Sequence, residues 1–232
     1  MIENELKDIY TEDIEDLLSK VEKSFDIKFG DTELMYITTF GELCDHIMNK
    51  IQLDCYDNCT TQQAFYKLRD VISSKFIIDK TISTNFPLVE LFPRKNRRIK
   101  TAELEKYLGF DLNILRPPHW LTRILCILFF VSLSFLGLLA PFVFLRLYWQ
   151  IGVLGLVISI GGFWLANKFG SELEVQTIGQ VAEKMTRENY LKSRRNSKTF
   201  NKNEIEKVLI DLFSNDLRLD KSKLTREAKF FE

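Results

Sequence analysis

Residues 124–167, ILCILFFVSLSFLGLLAPFVFLRLYWQIGVLGLVISIGGFWLAN, decide the architecture. No charged residue occurs between Arg123 and Arg146, and none again from Leu147 to Asn167, before Lys168. About 20 apolar residues are enough to cross the hydrocarbon core of a bilayer. Backbone polar groups in lipid must bond within their own segment, so helices are the expected form. The region 121–169 therefore reads as a transmembrane hairpin, with spans at about 124–145 and 147–167. A soluble chain of 232 residues would have to bury this run on every side, and too little chain remains to do so. The connection is expected at Leu145–Gln150, with Tyr148 and Trp149 at the interface and Pro141 bending the first span or starting its exit. Gly155 and Ser159 form a small-residue step suited to close helix packing.

Basic residues flank the hairpin on both sides. Arg94, Lys95, Arg97, Arg98, Lys100, Arg116 and Arg123 precede it, and Lys168, Lys184, Arg187, Lys192, Arg194, Arg195 and Lys198 follow it, whereas the connection has only Arg146. The expectation is an integral protein of the cytoplasmic membrane with both termini cytoplasmic. An acidic, amphipathic N-terminal stretch does not read as a signal peptide, so the first span would act as its own insertion signal. The whole chain has zero formal net charge, which gives no case for nucleic acid. Residues 1–33 are locally acidic, with eleven carboxylates against four lysines.

The flanking segments carry helical periodicity. Ile14, Leu17, Leu18 and Val21 recur with helical spacing over 12–24, and Thr11 is placed to cap that helix. A second helix follows Thr39, with Phe40, Leu43, Cys44, Ile47 and Met48 inward, and a third runs over about 61–76 with Phe65, Leu68, Val71 and Ile72 inward. Short helices are expected at 101–108, 176–190 and 203–214, and Pro117-Pro118 stops the chain ahead of the membrane.

Residues 11–47 resemble the second half of an acyl carrier protein: Phe25-Asp26-Ile27, Glu33-Leu34 and Ile37-Thr38-Thr39-Phe40 stand where that family has its turn and the entry to its last helix. The segment 204–232 resembles the carrier's first helix and following loop, and 65–88 is similar to that same part. Asp79-Lys80 parallels Asp220-Lys221, Ile82-Ser83 parallels Leu224-Thr225, 104–112 parallels 21–27, and 175–183 parallels 37–45 without a gap. The resemblance implies an all-α fold of small helical-bundle modules beside the two-helix hairpin. One module would be split, with helices II and III in 1–50 completed by helix I and loop in 203–232. A central one would run over 61–115, be interrupted by the hairpin, and end with its last helix in 172–192.

A working carrier has Asp-Ser-Leu at the start of its second helix, and the serine accepts phosphopantetheine. Here Tyr10-Thr11-Glu12 stands there, and the central copy has the PRKNRR segment near Arg94. The missing serine argues against phosphopantetheine, so no cofactor is expected and Thr11 reads as an inactive equivalent. With no glycine-rich phosphate loop, GxSxG or HExxH, no enzyme is indicated. The leading expectation is a membrane-anchored, non-catalytic scaffold for lipid- or fatty-acid-related enzymes, docking through Glu12, Asp13, Glu15 and Asp16. Arg94, Lys95, Arg97, Arg98 and Lys100 are expected to bind anionic lipid or an acidic partner such as a carrier protein. Two other readings stay open: a genuine membrane-bound carrier with a non-standard attachment site, and a structural membrane protein that self-associates. Cys55 and Cys59 could share a helix face near Cys44 and His46, yet one CxxxC without a second pair makes a poor zinc site, so no metal is expected. His119, beside Trp120, reads as interfacial.

Overall fold

Alternating apolar and charged positions, punctuated by threonine, asparagine and proline, cut the flanks into short helices. The structure is a computed structural model; it describes residues 11–30, 32–76, 81–139 and 146–230. The elements are α1 (Thr11–Phe25), α2 (Phe40–Lys50), β1 (Asp54–Cys55), α3 (Thr60–Lys75), α4 (Leu88–Leu91), α5 (Arg97–Leu108), β2 (Leu115–Arg116), α6 (His119–Leu139), α7 (Arg146–Phe169), β3 (Glu172–Leu173), α8 (Ile178–Glu188), α9 (Tyr190–Ser193), β4 (Thr199–Phe200) and α10 (Lys202–Leu217). The described chain is mostly helical, and its four strands are two residues each.

The chain divides into a helical unit (Met1–Phe86, Leu104–Leu112, Thr177–Glu232) and a hairpin unit (Pro87–Glu103, Asn113–Gln176). In the helical unit, Leu17, Val21 and Phe25 of α1, Phe40, Leu43 and Ile47 of α2, and Ile205, Leu209, Leu212 and Phe213 of α10 share one core. Leu224, Ala228 and Phe230 close it from the C-terminal side. Ala64, Leu68 and Ile72 form the buried stripe of α3, while Phe65 and Val71 are only half-buried.

One set of backbone interactions occurs twice. Gly41 and Phe40 donate to the carbonyls of Arg226 and Ala228 (2.9 and 2.8 Å), and Phe230 donates back to Thr38 (3.0 Å). Gly179 and Ile178 donate to Thr84 and Phe86 (2.7 and 3.1 Å), and Leu88 donates to Gln176 (2.8 Å). The helices entered here, α2 and α8, are both eleven residues long, and each begins after a capping threonine, Thr39 or Thr177. The helices preceding the loops, α10 and α3, are both sixteen residues long. A second pair of equivalents follows α1 and α5. Asp26 (φ 50°) and Gly109 (φ 81°) turn the chain in the left-handed region. Glu22 and Glu105 then each accept a loop N–H, from Phe29 (2.6 Å) and Leu112 (2.8 Å).

Glu33 ties the loop after α1 to α2, accepting from Lys50 (2.5 Å) and contacting His46 Nε2 (2.8 Å). The Lys50 hydrogen bond, with help from Gly30 N–H, lowers its pKa to about 2. A depressed carboxyl stabilises the fold above its ordinary pKa and loses that contribution as pH falls through the folded value. Glu33→Gln is therefore expected to lower the melting temperature at neutral pH, with the gap to wild type closing between pH 4.5 and about 2. Thermal denaturation across that range measures it.

Candidate functional site: a cationic collar and an acidic helix face

The hairpin unit is organised by its two long helices. At about 1.5 Å per residue, the 21 residues of α6 and 24 of α7 are each long enough to cross a hydrocarbon core of roughly 30 Å. Only 11% and 17% of their apolar windows, His119–Leu136 and Trp149–Phe169, is buried. Ile124, Ile127, Phe130, Leu133, Leu154, Val157 and Ile160 all point outward. A soluble core helix would be buried instead.

The helices meet over small residues. A Cβ on Gly155 would lie 2.1 Å from Ser132 Oγ, and one on Gly162 would lie 2.6 Å from a Leu125 methyl. Ser159 is fully buried. α7 begins at Arg146, so Arg146 to Gln150 belong to a helix rather than to the connection expected there. None of these residues is a helix breaker; Pro141, where the sequence expects a bend or an exit, lies outside the described residues. α6 begins at His119, directly after Pro118 and earlier than the sequence reading placed it. His119 itself is exposed.

At the other end the hairpin is clasped. β2 pairs antiparallel with β3, Leu115 opposite Leu173 and Arg116 opposite Glu172. Gly170 fits against the Arg116–Pro117 peptide, where a Cβ would fall 2.6 Å from backbone carbon. Trp120 and Trp164 are exposed near this end, and Lys168 Nζ sits 4.7 Å from the Trp164 ring centre.

The basic run before the hairpin divides into two roles, because α5 begins at Arg97 and not at residue 101. Arg97 is turned inward: Nε donates to Phe92 O (3.0 Å) and Nη1 to Ser171 O (2.7 Å). Burial, then the neighbouring Arg94 charge, lowers its pKa. Lys100 reaches Leu91 O (3.3 Å). Arg94 and Lys95 are exposed. Arg98, also exposed, donates to Lys168 O (2.9 Å) and lies over the Phe169 ring (4.8 Å). By sequence the hairpin unit has nine bases against four acids, which leaves the helical unit an equal excess of acids.

In the helical unit, Glu12, Asp13, Glu15 and Asp16 are all exposed on α1, while Leu17, Val21 and Phe25 hold its other side in the core. Thr11 is the first residue of the helix, and its side chain lies outside the described residues. Cys55 lies in β1 and Cys59 caps α3, so the two thiols do not share a helix face. Among the described residues, no group of three or more His, Cys, Asp or Glu could hold a metal ion. Burial pushes the Cys44 thiol up to about 12.

Sequence reasoning missed Arg194, which it counted as a flanking cation. Its side chain is fully buried and donates to Thr60 Oγ1 (2.5 Å), Thr199 Oγ1 (3.2 Å) and the carbonyls of Asn58 and Tyr56 (3.2 and 3.3 Å), with Glu204 at 4.0 Å. Tyr190 OH lies 3.3 Å from the same Glu204 carboxylate. No local signal separates Arg194 from Arg195, because its partners come from residues 56–60 and 199–204.

No protein-family model matches this chain, and no curated protein or solved structure matches it.

Proposed function

We propose that this protein is a membrane-anchored, non-catalytic docking module, built on two acyl-carrier-like helical modules, that gathers enzymes of lipid or fatty-acid metabolism at the bilayer surface. The observation that carries the reading is the four-carboxylate face of α1, fully presented to solvent on a helix whose opposite face is fixed in the core. A rigid helix with an outward acidic face can act as a recognition element: complementary charge steers encounter and rejects wrong partners. The anchor is the outward-facing apolar hairpin. Eight of the unit's nine bases on the clasped side, with Arg146 alone beyond α6, support a topology with both termini cytoplasmic. The doubled hydrogen-bond pattern of α2 with 226–230 and α8 with 84–88 supports two equivalent modules, one split between the chain's ends and one interrupted by the hairpin.

Covalent acyl carriage has no support from the residue at the carrier-serine position, Thr11. Intact mass of protein purified from its native membrane is expected to show no phosphopantetheine. The docking reading is tested by Glu12→Lys, Asp13→Lys, Glu15→Lys and Asp16→Lys together, in crosslinking of the full chain in its own membrane. Like-charge juxtaposition costs several kcal/mol, so partner crosslinks are expected to fall about a hundredfold. Crosslinking at wild-type yield would remove the acidic face from the mechanism. Glu12 and Asp13 lie in the first turn of α1, where lysine opposes the helix dipole, so a far-UV circular dichroism spectrum matching wild type is the control that assigns the loss to docking.

A further inference from the structure

We infer that the start of α5, centred on Ile99, is a second membrane contact: a cationic elbow that rests on the anionic headgroup layer beside the hairpin and seats Ile99 in the interface. This rests on the membrane reading of α6 and α7.

The first support is position. Arg98 bonds the carbonyl of Lys168 and covers the ring of Phe169, at the last turn of α7 where the apolar run gives way to charge. The first turn of α5 is therefore held at the level where a spanning helix leaves the hydrocarbon. Ile99 is the next residue, and it is 72% exposed. A single exposed isoleucine needs no explanation on an ordinary surface. Here it directly follows Arg98, whose guanidinium covers the exposed Phe169 ring at the end of α7, where aromatic side chains mark the interface.

Charge is the second support. Arg97, Arg98 and Lys100 satisfy carbonyls of the hairpin unit, while Arg94 and Lys95, just ahead of α5, are exposed, as is the edge of Arg98. Cations beside an outward apolar side chain suit an anionic headgroup layer, where each basic residue near the surface contributes about 1 kcal/mol, a factor of about five. An acidic protein would meet the same cations, but it would not need an apolar residue beside the exit of a spanning helix. The bilayer is already there.

The test uses the full chain, carrying Cys55→Ser, Cys59→Ser, Cys126→Ser and Ile99→Cys, labelled at residue 99 with an environment-sensitive maleimide dye. Cys44 is buried with its thiol held protonated, so it does not compete. The protein is reconstituted in phosphatidylcholine with and without phosphatidylglycerol, with quencher on the upper acyl chain. The expected result is stronger quenching when phosphatidylglycerol is present. Arg94→Gln and Lys95→Gln should each shift the docked-to-undocked ratio by about fivefold. A label unquenched in both bilayers, in protein that still resists alkaline extraction, would overturn the inference, leave the anchor standing and give this face to a protein partner. Equal quenching in both would overturn the part assigned to anionic headgroups. Protein released by alkali would defeat the membrane reading itself.

Discussion

Arg194→Met is expected to destabilise the helical unit by about 3–4 kcal/mol, the scale seen when one partner of a buried charged network is removed. The guanidinium is the common donor to Tyr56, Asn58, Thr60 and Thr199, and lies opposite Glu204. These positions join the start of α3 to the β1–β4 pair and the start of α10. Methionine fills the volume and leaves two carbonyls and a carboxylate without their cation. Arg194→Lys is expected to recover little, because one ammonium cannot reproduce a planar fork with donors in three directions. Tryptophan fluorescence is blind to this unit, since Trp120, Trp149 and Trp164 all lie in the hairpin unit. Amide hydrogen exchange of α2 and α10 measures the loss directly, while α6 and α7 should keep wild-type protection.

Gly41→Val is expected to cost about 2–3 kcal/mol, at the upper end for overpacking a tight site. A Cβ there would lie 2.8 Å from Arg226 O and 2.9 Å from Arg226 Cβ, so the strand-like contact with 226–230 must open. Gly179→Val should behave alike, because its Cβ would meet Thr84 O at 3.0 Å in the equivalent contact. Gly30→Ala is the control: its nearest neighbour is the flexible Glu33 side chain at 3.6 Å, and no loss is expected. Denaturant midpoints of the three variants in detergent decide the matter. Losses at Gly41 and Gly179 with none at Gly30 would show that both closures bear stability.

How much of this was legible depends on the range of the forces involved. The apolar hairpin, the periodic stripe Leu17–Val21 and the Thr39 cap declare themselves locally, because membrane partition and helix capping act within a segment. The start of α5 was read too late, at 101 instead of 97, because Arg97, Arg98 and Lys100 look like a solvated run until the carbonyls of Phe92 and Ser171, of Lys168 and of Leu91, respectively, supply their partners. The second apolar run, read from 147, lies within α7 from Arg146, because the absence of charge marks it locally. Arg194 was illegible for the reason that hid the start of α5, in stronger form: burial of a charge is a tertiary property. The acidic face of α1 was readable as charge, and its exposure follows from a core stripe on the opposite side.

The hairpin's crossing of the bilayer is the claim on which anchoring, topology and the interfacial role of Ile99 all depend. Side-specific labelling in sealed native vesicles tests it most directly, using a membrane-impermeant maleimide. The reporters are Cys55 and Cys59, both exposed in the helical unit, and Gln150→Cys at the exposed start of α7. The account predicts that Cys55 and Cys59 react from the cytoplasmic face and residue 150 only from the opposite one. Labelling of all three from the same face would contradict it.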